Sequence, residues 1–275
     1  GHVASTRDAY DGISTPRAGR RDTTRNCGVR SSASSVSRIC AIASGALVLL
    51  GDHLGFYAAM RDGTRMSSLE LARRTDTHER YVREWLAAQA AAGYVEYDEA
   101  ANVFFLNPEQ AAVFADENGA ASMAGAFEVL ASLWLDEPKV AEAFRSGRGV
   151  PWHDHSRCLF RGTERFFRPG YNANLVSAWL PALDGVVAKL ERGATVADVG
   201  CGHGSSTIVM ARAFPRSTFI GFDYHPESIE AAREAAHDMG VGANTSFEVA
   251  DARSFRGRYD LVTFFDCLHD MGDPV

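Results

Sequence analysis

Lysine is almost missing from this 275-residue chain: it stands only at positions 139 and 189, and arginine supplies the rest of the positive charge. Acids still lead. The net charge of −7 argues against nucleic acid as a partner, because that binding rests on neutralising phosphates, and favours small molecules or other proteins. Cysteine pairs are missing too. Cys27, Cys40, Cys158, Cys201 and Cys267 are odd in number, scattered and never spaced CxxC. That speaks against a disulfide framework or a zinc knuckle and suits the reducing cytoplasm. No apolar run reaches the roughly 20 residues needed to span a membrane. The longest, ICAIASGALVLLG at 39–51, runs into Asp52 and His53 and is expected as a buried helix. What remains is ordinary globular material, 46% hydrophobic and 23% charged, enough for two domains.

Residues 1–38 hold seven arginines, three acids and eleven Ser or Thr, without apolar period. They are expected as a disordered tail. The composition superficially resembles an organellar transit peptide, but a flexible or non-native extension is the plainer reading. From Ile39 to Met60 an apolar helical pattern runs up to RDGTRM. Ser67 or Ser68 can then cap a short helix, SLELARRT, and DTHE turns the chain. The following helix, at 80–95, sets Val82, Trp85, Leu86 and Gln89 on one face and ends at Gly93. VEYDEAANVFFLNP reads as two short strands. Helix, turn, helix and ribbon over 39–115 predict a winged helix. Arg80 and Arg83 are balanced by Glu79 and Glu84, so packing or dimerisation is preferred there to DNA reading.

Residues 116–190 read as a helical connector and substrate lid. Aromatics are dense from Phe114 to Trp179 and are expected mostly in the core. Those of RFFRPGYNAN at 165–174 are expected to line a pocket, since Pro169–Gly170 should interrupt the helix; Tyr171 is assigned to the cofactor side. WHDHS at 152–156 offers His153 and His155 to a metal, but no second cluster joins them. A solvated loop is expected and no metal.

At Thr195 the period changes. TVADVG, TFIGFD, TSFEVA and YDLVTFFD are short apolar strands alternating with SSTIVMARAF and PESIEAAREAAHDMG, which predicts a parallel sheet covered on both faces over 191–275. The loop VADVGCGHGSST follows the first strand, where such sheets bind ligands. Gly200, Gly202 and Gly204 let its backbone turn tightly beside a ligand. Asp223 ends the second strand 23 residues after Gly200 and can accept from ribose hydroxyls. Tyr224 offers a flat face to a purine, Asp251 an acceptor to an exocyclic amine, and Asp266 ends the fourth strand. A dinucleotide fold wants G-x-G-x-x-G. Here the third glycine comes one residue early and Ser205 takes its place, while Asp198 suits an ammonium, directly or through water, better than a diphosphate.

DVGCGHG resembles the first motif, [E/D]-x-G-x-G-x-G, of the class I S-adenosylmethionine-dependent methyltransferases. With the winged helix in front, the chain looks like a bacterial small-molecule methyltransferase, similar in architecture to plant natural-product O-methyltransferases over about 39–275. The resemblance implies an α/β, Rossmann-like methyltransferase sheet, S-adenosyl-L-methionine as cofactor and a homodimer built on the winged helix. It implies that Asp198, Gly200, Gly202 and Gly204 hold the methionine moiety, Asp223 the ribose, and Tyr224, Asp251 and Ala252 the adenine. His269, beside Asp270, stands where the plant enzymes keep their general base. The acceptor atom stays open between oxygen, nitrogen and carbon; a hydroxyl is the preferred acceptor. A DNA-binding regulator with a cofactor domain is the alternative. The family's sheet has seven strands and four can be counted before Val275, so a fragment with an exposed apolar edge is expected.

Overall fold

A computed structural model describes residues 27–271. The described chain divides after Ile42 into two units, and the packing described below belongs to the second. The expected tail is corrected in part: residues 1–26 lie outside the described residues, but from Cys27 the chain belongs to helix α1 (Cys27–His53). Apolar turns nucleate this helix, and extending a formed helix into a Ser/Ala stretch costs little. Its apolar run is buried on one face only, at Val48 and Gly51, while Ile39, Ile42 and Leu50 are exposed.

The winged helix follows as expected. After α2 (Phe56–Ala59), α3 (Ser68–Arg74) starts at Ser67, whose hydroxyl accepts from the Glu70 N–H. Helix α4 (Glu79–Ala91) buries Val82, Trp85, Leu86 and Gln89. Gln89 is tolerated there because its Oε1 accepts from the Tyr57 hydroxyl at 2.6 Å. Strands β1 (Glu96–Asp98) and β2 (Val103–Phe105) pair antiparallel, and Met66 bridges to Phe104.

After α5 (Pro108–Phe114), α6 (Ala124–Ser146) and α7 (Arg157–Asn174) pack on each other. A Cβ at Gly125 would stand 2.4 Å from the Phe166 N, and one at Gly162 2.6 Å from the Val129 N, so only glycines let these backbones meet. The expected break at Pro169–Gly170 does not occur, since α7 runs through both and then widens into a π-helical turn at Leu175–Trp179. Pro169 gives up one backbone donor, and the contact with α6 keeps the helix on line. A second correction concerns the aromatics. Trp134, Phe144 and Trp179 are exposed, because helical spacing marks a face without saying which way it looks.

Helix α8 (Val186–Arg192) leads into a four-stranded parallel sheet of β3 (Thr195–Val199), β4 (Thr218–Asp223), β5 (Thr245–Val249) and β6 (Leu261–Thr263), in the order β5-β4-β3-β6. Helices α9 (Ser205–Ala213) and α10 (Pro226–Asp238) join the first three strands. One face holds Val196, Phe219 and Phe247 beneath the helices; the other holds Ala197, Val199 and Phe222. The strand order reverses between β3 and β6, which opens a crevice at their carboxyl ends.

Candidate active site

A cavity of about 920 Å³ lies at that crevice, within the size range that holds small molecules and cofactors. Its floor is the glycine loop. Gly200 and Gly202 have φ of +73° and +53°, left-handed values that favour glycine. The loop is fastened to β4: the Gly200 and Cys201 N–H groups donate to the Phe222 carbonyl, and the Gly202 N–H donates to Asp223 Oδ2 at 3.0 Å. Asp223 Oδ1 accepts from the His225 N–H at 2.9 Å. Each carboxylate oxygen accepts one hydrogen bond and has a second lone pair to offer, and Asp223 lines the cavity.

Most of the residues singled out in the sequence meet here: Gly200, Gly202, Asp223, Tyr224, Asp251, Ala252, Asp266, His269 and Tyr171 all line the cavity. Two do not. Asp198 shares the sheet face of Val196 by strand alternation, so its carboxylate enters the protein under α9. There it accepts from Ser206 and Thr207, each at 2.6 Å, and from Thr263 at 2.8 Å. Burial pushes its carboxyl above the ordinary range, and the three hydroxyls pull against that. Asp198 therefore fastens β3, α9 and β6 together and does not form the cavity wall. Gly204, at φ +79°, is a packing glycine: a Cβ there would stand 2.8 Å from Phe247 and 3.0 Å from Ala232.

The other acids are unequally free. Asp251 is held by Arg253 through two 3.1 Å contacts, which hold its carboxyl below the ordinary range. Asp266, at φ +53°, accepts from the Tyr171 hydroxyl at 3.0 Å. Burial followed by the Asp266 charge raises the Tyr171 hydroxyl far above the ordinary tyrosine range, so it acts as a donor. His269 is largely exposed at the rim, with Nε2 3.4 Å from Asp270 Oδ1. Cys267 lies against Gly200, and burial pushes its thiol up to about 12, which leaves it protonated and unreactive.

Sequence reasoning missed part of the wall. Ahead of Phe167, which lies in the stretch expected to line a pocket, helix α7 also contributes Leu159, Phe160, Thr163 and Glu164, a three-to-four residue spacing readable as one helix face. Glu164 Oε1 accepts from Ser205 Oγ at 2.6 Å and faces Arg168 at 3.2 Å. His203, inside the glycine loop, lines the cavity with its imidazole held neutral by burial. The expected solvated loop at 152–156 is instead a 3-10 turn that brings Trp152 to the wall. It is anchored where Asp136 Oδ2 meets His155 Nδ1 at 3.1 Å and the Ser156 N–H at 2.9 Å. Among the described residues, no cluster of His, Cys, Asp or Glu is arranged to hold a metal.

Residues 190–275 match the family profile of a methyltransferase domain, and residues 42–116 that of the Rv2258c-like winged HTH domain; the chain carries both. It is 38% identical over 60 residues to a trans-aconitate 2-methyltransferase of Streptomyces coelicolor, a match covering 22% of this chain and 20% of that one. The match to each of the curated relatives spans about a fifth to two fifths of the relative's length. In fold it resembles a mitomycin 7-O-methyltransferase, with TM-score 0.62 and 18% identity over 89% of this chain and 74% of that one. A methyltransferase of calicheamicin biosynthesis in its S-adenosylhomocysteine-bound form gives 0.60 and 19% over 89% and 73%. Among the described residues no helix is long and apolar enough to cross a membrane.

Proposed function

We propose that the protein binds S-adenosyl-L-methionine in this cavity and methylates a hydroxyl of a small aromatic acceptor. The observation that carries the reading is the pairing of an open left-handed glycine at 202 with the two-sided Asp223 carboxylate beside it. A Cβ at Gly202 would meet nothing within 4 Å, so the loop leaves room for a ligand against its backbone, and the two free lone pairs of Asp223 suit a ribose diol. Tyr224 is to flank the adenine, with Asp251 and Ala252 at its edge. The mitomycin and calicheamicin enzymes share the fold, and the former is by name an O-methyltransferase.

When bound, the cofactor supplies a methyl group on a positively charged sulfur. The chain's own part is to hold the acceptor in line, exclude water and take a proton. The aromatic wall of Trp152, Phe160, Phe167 and Phe265 orients a flat acceptor and keeps water out. His269 is the proposed base, its imidazole steadied by Asp270, and takes the hydroxyl proton as the methyl is transferred. In the intact protein, His269→Ala is expected to lower kcat about 100-fold with the affinity for S-adenosylhomocysteine unchanged; unaltered turnover would remove His269 from the mechanism.

A homodimer belongs to the same proposal. Helix α6 exposes Leu130, Leu133, Trp134 and Phe144, the last two at 62% and 88%, along about 21 Å of helix. A second copy of this chain is the occupant proposed for that stripe, which puts the dimer contact on α6 and not on the winged helix expected from the sequence. The winged helix is not offered to DNA, since Arg80 pairs with Glu84 and Arg83 lies 3.7 Å from Glu79. The cytoplasm is the proposed compartment, in keeping with the free thiols at Cys40, Cys158, Cys201 and Cys267.

A further inference from the structure

The charges around the cavity are lopsided. Its wall holds five carboxylates, those of Glu164, Asp223, Asp251, Asp266 and Asp270, and among the described residues a single guanidinium, Arg253. Arg253 is paired with Asp251, whose two oxygens accept from its Nε and one terminal nitrogen. Arg161, Arg165 and Arg168 on the outer face of α7 meet four carboxylates, Asp52, Glu117, Glu128 and Glu164, at 3.2 Å or less. Arg168, the nearest to the cavity, divides itself between Glu164 and Glu117.

We propose that the acceptor is an aromatic compound that is neutral or bears an amine, that carboxylate-bearing acceptors are excluded, and that Glu164 sets this preference. The proposal rests on the methyltransferase reading and deepens it. With Asp223 and Asp251 taken up by the cofactor, a carboxylate brought into the rest of the cavity would lose its hydration, find no lining cation beyond the Asp251-bound Arg253 and approach Glu164, Asp266 and Asp270, which is the costly arrangement for a buried ion. An ammonium gains on both counts. Glu164 sits on α7 between Phe160 and Phe167, so a flat ring held by the phenylalanines presents a cationic substituent to the carboxylate and to the ring faces together. His203 beside it adds no charge, since burial keeps its imidazole neutral. This departs from what the trans-aconitate 2-methyltransferase relative takes by name, because a polyacid has no counter-charge here.

Three phenols that differ only in the end of a two-carbon side chain test it: tyramine, tyrosol and 4-hydroxyphenylacetate. Their dissociation constants are measured by calorimetry on the intact protein, with and without S-adenosylhomocysteine. Tyramine and tyrosol are expected to bind at least about tenfold more tightly than the acid, a gap of about 1.4 kcal/mol. Glu164→Gln, whose amide oxygen still accepts from Ser205, is expected to shrink the amine-to-acid ratio about fivefold or more. An acid that binds as well as the amine overturns the proposal, as does failure of all three to bind. A ratio unmoved in Glu164→Gln overturns the role of Glu164. If S-adenosylhomocysteine itself does not bind, the cofactor reading falls, and the ranking of the three phenols without it still decides this one.

Discussion

A methyl group on Gly204 would stand 2.8 Å from Phe247, and one on Gly202 would stand in the open; both residues are left-handed. The two glycines of one motif therefore have different work, and substitution separates them. Gly204→Ala is expected to cost about 2–3 kcal/mol in urea unfolding, from overpacking and backbone strain together. Gly202→Ala is expected to cost about 1 kcal/mol while weakening S-adenosylhomocysteine binding at least tenfold, read by calorimetry. The spacing of the motif was legible in the sequence, and so was its place after a strand. What the sequence did not separate is which members line the cavity: Asp198 and Gly204 fit the pattern as well as Gly200 and Gly202. The information was present in part, because strand alternation turns Asp198 toward Val196 and beneath α9. The clash at Gly204 arises from Phe247, 43 positions away in sequence, and no local pattern carries it.

At the scale of elements, α7 decides how well the cavity is built. Arg165 is nearly buried and binds Asp52 through both terminal nitrogens, Glu117 through Nε and one of them, and Glu128 at 3.1 Å. Removing it takes away the ion pair of Asp52 and leaves Glu128, which has no exposure to water, to Arg161 alone. Arg165→Met is expected to lower stability by about 3 kcal/mol, measured by chemical unfolding at neutral pH. The helix is fixed at its start as well, by Asp136. Burial opposes ionisation there, but the Ser156 N–H, Lys139 and His155 hold the Asp136 carboxyl down at about 2. A carboxyl lowered in the fold contributes stability that is present above its unfolded value, near 3.8, and is lost as pH falls through about 2. Thermal melts between pH 4 and pH 2 are expected to show a flatter decline in Asp136→Asn than in the parent. The sequence pointed to aromatics near 165–174 but expected Pro169 to end the helix. Packing across Gly125 and Gly162 overrode the proline, and contacts between distant segments are what single-sequence periodicity cannot supply.

For the whole molecule, the order of the two domains and the parallel sheet were legible, since apolar period and turn residues are local properties. Which surfaces remain exposed was not. Trp134 and Phe144 read as core from their spacing, yet they stand on the outside of α6 with Leu133. If that stripe joins two copies, sedimentation equilibrium of the intact protein is expected to give twice the monomer mass. A double substitution, Leu133→Glu with Trp134→Glu, is expected to return it to monomer with an unchanged far-ultraviolet spectrum. A monomeric parent would leave α6 without a partner copy.

The two sides of α7 bear different burdens, and this has a consequence for how the protein can change. Its arginine side is locked by carboxylates from three other segments, so substitutions there are paid for in stability. Its cavity side, at Leu159, Phe160, Thr163 and Phe167, owes nothing to that lock. Variation in a lineage, or in a library, can therefore be concentrated on the less buried of these positions, Leu159, Thr163 and Phe167, and the cavity can change its lining on a helix whose mounting stays the same.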